Sequence, residues 1–286
     1  MVISNLLYKL PFMQINQERL IQDVNYLTSI FPYRNYKNIS SLDKAAQYIQ
    51  QQFQKAKLPI LTQSWMVNGN KYKNIIAHYQ PHKKQRLILG AHYDVFKEQA
   101  GADDNASGVA AVLEIARMAY EHKPQLDYGI DFIGFSLEEP PFFKKKEMGS
   151  YIHAQSIEER KQDFIGMIAL EMIGYYEGKP GALTHQKELF VSSIKKFNSF
   201  NHKISSLLRT PKLLNTKSHS LADDNKNAGP SDHRNYWPLD IPAVMIIGSG
   251  GNGNPNYHKS TDTIDTLDFN TMKLAVESIA YAVFNF

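Results

Sequence analysis

Leu87-Ile88-Leu89-Gly90-Ala91-His92-Tyr93-Asp94 is the stretch on which the reading of this chain turns. Residues 87–91 form an apolar run of strand length without polar alternation, as in a strand buried on both faces. The run then breaks into ionisable side chains, and the same device recurs three times. Residues 130–135 lead into Ser136-Leu137-Glu138-Glu139, and residues 165–170 into Glu171. Residues 241–247 lead into a glycine-rich loop, 248–253, and then Tyr257-His258. A helical stretch over about 107–120 separates the first two runs, and residues 269–284 read as a closing amphipathic helix. Strands alternating with helices predict an α/β fold: a central mixed, largely parallel β-sheet flanked by helices on both faces. In such open sheets, sites form just beyond the carboxyl ends of strands, where loops converge. Four strand ends that each carry a ligand-type residue therefore point to one site.

Outward from this centre, the first eighty residues read as two helices and a hairpin. The helices fall near 16–30 and 41–57, with Ser40 or Ser41 as N-cap of the second. Strands at 60–67 and 72–79 flank the turn Asn68-Gly69-Asn70. Further on, a strand is expected near 189–192 and a helix near 194–208. No repeat, low-complexity segment or linker divides the chain. It is read as one domain, 1–286, in which residues 1–85 supply amino-terminal helices and a hairpin packed onto the same sheet. A length of 286 residues, 43% of them hydrophobic, is ample for one large core.

Composition also removes whole classes of function. No stretch approaches the roughly 18 uninterrupted apolar residues of a membrane span. The net charge is only +4, and the one tight basic run, Lys144-Lys145-Lys146, reads as a solvated loop, so neither a membrane nor a nucleic-acid partner is expected. Cysteine is absent, so any metal must be held by His, Asp and Glu. Residues 1–10 lack a basic n-region, a long apolar h-region and a small-residue cleavage site. The expectation is a cytoplasmic protein if the chain is complete, and a periplasmic or secreted one if a signal was trimmed.

Each candidate group has a plainer alternative. In His92-x-Asp94, side chains two apart on an extended strand share a face, which places Asp94 to orient His92 through its non-ligating nitrogen. Alone, the tripeptide is more often an ordinary polar strand end. Gly101-Ala102-Asp103-Asp104-Asn105-Ala106-Ser107-Gly108 reads equally as an Asx-rich turn capping a helix, but that does not explain its closeness to His92. Glu138-Glu139 offers one carboxylate for a metal and a neighbour for proton transfer, although paired glutamates are common on exposed loops. His258 sits in a turn-rich loop, where a histidine is usually just solvated. Ser231-Asp232-His233 reads as a structural turn or a support for a ligand. Phe142, Phe143, Tyr175, Tyr176 and Trp237 are candidate walls of an apolar pocket, though aromatics more often fill the core.

Taken together and in order, these motifs resemble the M28 family of zinc peptidases, which holds bacterial leucine aminopeptidases and, more distantly, glutaminyl cyclases. The resemblance rests on Gly90 to Asp94, Gly101 to Gly108, Glu138-Glu139, Leu170-Glu171-Met172-Ile173-Gly174-Tyr175, Ser231-Asp232-His233 and Tyr257-His258-x-x-x-Asp262, and it spans residues 87–265. It implies a zinc-exopeptidase, phosphorylase/hydrolase-like fold and two Zn2+. His92 and Glu139 would each ligate one ion, Asp104 would bridge both, and Glu171 and His258 would complete different shells. Glu138 would be the general base and acid, Asp94 the partner of His92, and Tyr257 the support of the oxyanion. The resemblance also implies a cis peptide at Asp104–Asn105. The implied activity is removal of the amino-terminal residue from a peptide substrate, through a water shared by the metals. One departure stands out, because the position of Glu171 is aspartate in the best-known aminopeptidases of the group. Glutamate there is similar to carboxypeptidases of a related family. A carboxypeptidase or other small-peptide amidohydrolase is therefore the main alternative. Glutaminyl cyclases typically use one zinc and replace the Asp-Asp-Asn-Ala-Ser-Gly run, and metal-free binding relatives lose ligands that are all kept here.

Overall fold

The four apolar runs become adjacent central strands because each has both faces to bury. A computed structural model describes residues 14–157, 163–176, 187–225, 228–248 and 253–286. Its eight strands are Ile60–Val67 (β1), Asn70–Tyr79 (β2), Gln85–His92 (β3), Gly129–Phe135 (β4), Asp163–Glu171 (β5), Glu188–Ile194 (β6), Asn215–Leu221 (β7) and Ala243–Gly248 (β8). They form one mixed sheet in the order β1-β2-β4-β3-β5-β8-β6-β7. The central β4, β3, β5 and β8 are mutually parallel. β1 and β2 add an antiparallel margin on one side, while β6 and β7, parallel to each other, run against β8 on the other.

Alternation along the central strands feeds two cores. Leu87, Leu89, Ile130, Phe132, Ile168 and Val244 point to one face. There they meet helices Gln17–Ser29 (α1), Ile39–Lys55 (α2), Gly108–His122 (α3), Asn198–Arg209 (α5) and Phe269–Phe284 (α6). Ile88, Ile133, Phe135, Met167 and Ala243 point the other way, against Ala154 and Ile157 of helix Gly149–Ile157 (α4). Each fully buried Leu, Ile or Phe stabilises the fold by roughly 1.5–3 kcal/mol. Gly90 is fixed by this packing, since a Cβ there would lie 2.4 Å from the Phe135 ring.

The structure moves several expected boundaries. The second helix starts at Ile39 with Asn38 as its cap residue, so Ser40 and Ser41 lie inside the first turn. The cause is the preceding turn, in which Asn38 donates through Nδ2 to the Tyr33 carbonyl and its own carbonyl accepts from Ser41 N–H. The hairpin turn is two residues, Asn68 and Gly69, with φ of 50° and 80°, so Asn70 already pairs with Val67. Ile241 and Pro242 precede β8: Pro242 cannot donate, and only its carbonyl joins the sheet, accepting from Met167 N–H at 2.8 Å. α6 is buried nearly all round rather than on one stripe, because it packs against α1, α3 and α5. β7 and α4 have no counterpart in the expected elements. Residues 1–10 and most of the glycine-rich loop, 249–252, lie outside the described residues. Among the described residues, no helix is long and apolar enough to cross a membrane.

Candidate metal centre

Because β4, β3, β5 and β8 are parallel, their carboxyl ends lie along one rim, and the side chains beyond them converge. His92 Nε2 stands 3.4 Å from Asp104 Oδ1 and 3.3 Å from Glu171 Oε1. His258 Nε2 stands 3.3 Å from Asp104 Oδ2 and 3.3 Å from Glu139 Oε2. Asp104 thus offers one oxygen to each of two ligand sets, His92/Glu171 and Glu139/His258. Both triads have donor atoms within 4.8 Å of one another. Glu138 reaches the same space, with Oε2 3.9 Å from His92 Nε2. All five expected ligands and Glu138 are therefore brought together.

The backbone around them is held by buried carboxylates. Asp94 accepts from Glu138 N–H at 3.1 Å and Glu139 N–H at 3.0 Å, one on each oxygen. Its own carbonyl lies 3.1 Å from His92 Nδ1, with the carboxylate farther off at 3.7 Å. Asp94 therefore fixes His92 and the glutamate pair together. Asp262 does the same for the Asp103-Asp104 turn, accepting from Asp103 N–H at 2.8 Å and Asp104 N–H at 3.0 Å. Asp103 in turn accepts from the amides of Gly174 and Tyr175, just beyond β5, and from Asn254 Nδ2. The Asp104–Asn105 peptide is cis. Ser231 Oγ donates to Glu171 Oε1 at 2.5 Å.

Two supports escaped the sequence. Arg34, 1% exposed, donates to the carbonyls of Leu27, Tyr93, Ala100 and Gly101 and so ties the amino-terminal region to the loop carrying Asp104. A lone arginine in a loop gives no signal of such a role. Phe96 stacks on the His258 ring at 4.1 Å, and Tyr257 stacks on it at 3.9 Å. Asp103 was visible only as part of its motif. Of the five aromatics expected to wall a pocket, Phe143 alone lines the cavity at the site. Phe142, Tyr175 and Tyr176 are buried in the core, and Trp237 packs against His233 instead. Tyr257 lines the cavity and is 47% exposed.

The electrostatics describe a site short of positive charge. Burial pushes the Glu139 carboxyl up to about 8, with Asp104 beside it adding to the rise. Burial also raises Glu138 well above the carboxylate range, and Glu139 and Glu171 reinforce it against the attraction of His92. Burial opposes charge on His258, but the Asp104 and Glu139 carboxylates prevail and lift it to about 9. Asp104 is held low, against its burial, by His258 and His92. Asp104 Oδ2 and Glu139 Oε1 are buried without a hydrogen bond. Unpaired carboxylate oxygens beside imidazoles, with no thiolate, form a donor set that fits zinc.

His233 is the reverse case. It is fully buried, and neither ring nitrogen has a hydrogen-bond partner among the described residues. Burial, with Arg234 nearby, pulls its pKa from 6.5 down to about 3. Between those values the unfolded chain binds a proton that the folded chain refuses, so stability is full above pH 6.5 and falls as pH drops toward 3. His233→Phe keeps a ring against Trp237 and is expected to flatten this acid limb by up to about 1.4 kcal/mol per pH unit. Urea unfolding from pH 7 to 4 checks it; parallel curves for both proteins remove His233 from the acid response.

A model of the family described as Peptidase family M28 matches residues 74–283. The chain is similar to YfbL, an uncharacterised protein of Escherichia coli K12, at 34% identity over 94% of this chain and 88% of that one. It is also similar to a probable leucine aminopeptidase of Arthroderma otae, at 26% identity over 90% of this chain and 69% of that one. Among solved structures, a leucine aminopeptidase precursor from Bacteroides thetaiotaomicron gives a TM-score of 0.78 at 22% identity, covering 96% of this chain and 99% of that chain. A glutaminyl cyclase from the same organism, bound to N-acetylhistamine, gives 0.77 at 22% identity, covering 96% and 100%. At such identity the structural likenesses speak for the fold.

Proposed function

The chain belongs to peptidase family M28, and from that premise we propose that it is a zinc-dependent aminopeptidase working as one domain with two ions. The observation that carries the reading is the division of Asp104, whose two oxygens serve separate ligand sets. His92, Asp104 and Glu171 would hold one ion, and Asp104, Glu139 and His258 the other. Bound there, zinc supplies a Lewis acid for the scissile carbonyl and an acidified water.

The remaining work falls to side chains. Glu138 takes the proton of the attacking water and returns it to the leaving amine. Burial raises the proton affinity of Glu138 in the metal-free site, which favours the half of that task in which it accepts the proton. Asp94, holding the Glu138 and Glu139 amides, keeps base and ligand in register. Tyr257 donates its phenol to the developing oxyanion. Burial and the surrounding carboxylates push its pKa upward, so it keeps its proton at neutral pH. The choice of an amino terminus over a carboxyl terminus rests on the aminopeptidase relatives, because the four acidic residues of the cavity are the ligands and base of this reading, and Lys144 lines it too.

The test is a peptide panel with free and acetylated amino termini, run with zinc-loaded protein whose metal content is measured. Release of the first residue from free peptides only, with about two zincs per chain, is expected. Cleavage from the carboxyl end, or indifference to acetylation, overturns the reading in favour of a carboxypeptidase or another amidohydrolase.

A further inference from the structure

The cavity beside Glu171, of about 910 Å³, is floored by one face of three neighbouring strands. Met245 and Ile247 of β8, Phe190 and Ser192 of β6, and His219 and Leu221 of β7 all face it, as residues two apart on a strand should. Register sets their layout. Glu171 pairs with Ile247 and Ile247 with Phe190, while in the next row Met245 pairs with Ser192 and Ser192 with His219. The floor is therefore apolar beside the candidate metal ligand and turns polar two strand spacings away, roughly 10 Å. There Ser192 Oγ lies 3.1 Å from His219 Nε2. Ser192 is 5% exposed and His219, on the edge strand, is solvent-exposed, so the polar pair stands at the outer end of the apolar floor. A hydroxyl and an imidazole each keep hydrogen-bonding capacity beyond that one bond.

We propose that Ser192 and His219 are specificity-determining residues that hydrogen-bond the tip of the substrate's amino-terminal side chain and favour tyrosine over phenylalanine. The assignment rests on the aminopeptidase reading. Phe190, Met245 and Ile247 require an apolar stem, and the pair rewards a polar end. Tyrosine joins a large apolar body to a terminal hydroxyl that both donates and accepts, whereas the indole N–H of tryptophan can only donate. Because Ser192 and His219 already satisfy each other in part, phenylalanine leaves neither group wholly unpaired. Discrimination should then be the worth of one net hydrogen bond, roughly tenfold, rather than the roughly 10⁴-fold of a site left with bare polar groups.

The experiment compares kcat/KM for the 4-nitroanilides of tyrosine, phenylalanine, leucine and N-acetyltyrosine on the zinc-loaded protein. Tyrosine is expected to exceed phenylalanine by roughly tenfold, and Ser192→Ala and His219→Phe are each expected to bring that ratio toward one. A wild-type ratio near one overturns the assignment without any variant, as does a ratio that both variants leave unchanged. If no free aminoacyl anilide is hydrolysed, or the acetylated one is hydrolysed equally well, the aminopeptidase reading itself falls and this assignment with it.

Discussion

Glu138→Gln is expected to lower kcat for amino-terminal hydrolysis by about 10²–10⁴-fold while the protein stays folded and keeps its zinc. Three observations set the size and direction. The side chain reaches into the cluster, 3.9 Å from His92 Nε2, and groups with His92 and Glu139, yet it belongs to neither triad through Asp104. It is 6% exposed, so no bulk water can take over its proton transfer cheaply. Its carboxyl is already biased toward the neutral form by burial and by Glu139 and Glu171. A neutral amide of the same shape therefore costs the fold little, and the backbone N–H held by Asp94 is untouched. The loss should fall on kcat and kcat/KM alike, as expected for a group used only in the transition state. Glu139→Gln, one residue away, should behave differently and lose metal. Steady-state kinetics paired with metal analysis separate the two. Glu138→Gln with most of its activity intact takes Glu138 out of the base role.

Much of the fold was legible because buried parallel strands announce themselves. Residues 87–91 have no polar face to confuse the pattern, residues 130–135 carry one polar side chain, Asp131, which is paired in the core with Arg86, and both runs lie at the centre of the sheet. The site was legible for a related reason: chemistry needs ionisable residues at strand ends, where packing alone would not put them. β7 was not legible. Asn215-Thr216-Lys217-Ser218-His219-Ser220-Leu221 is an edge strand with one partner and half-exposed side chains, so it carries no hydrophobic period. The same blindness hid Ser192 and His219, whose meaning comes only from register with β8. Arg34 was invisible because its four acceptors are backbone carbonyls, which no sequence displays. The pocket aromatics were misplaced because size and apolarity do not say which side of a wall a ring fills.

Removing the shared ligand should have the larger consequence for metal. Asp104→Ala is expected to abolish the zinc-dependent gain in thermal stability and to eliminate activity, with little harm to the metal-free fold. Asp104 gives one oxygen to each ligand set, so both sets drop from three protein donors to two. Even loss of a ligand's supporting partner typically costs roughly 10–100-fold in metal affinity, and a shared first ligand should cost more at both positions. Without metal the balance differs. Asp104 is buried beside Glu139, whose carboxyl it helps push up to about 8, so its removal relieves repulsion as well as breaking contacts with His92 and His258. Its backbone N–H stays with Asp262. A zinc concentration 100-fold above the dissociation constant stabilises a folded protein by about 2.7 kcal/mol per site. At that concentration the wild type should melt well above its metal-free form, while the variant should show almost no shift. Melting curves and equilibrium dialysis over a zinc titration measure both quantities. A variant that still takes up two zincs with near-native affinity would show that the ions do not share Asp104, and the division of its two oxygens would lose its meaning.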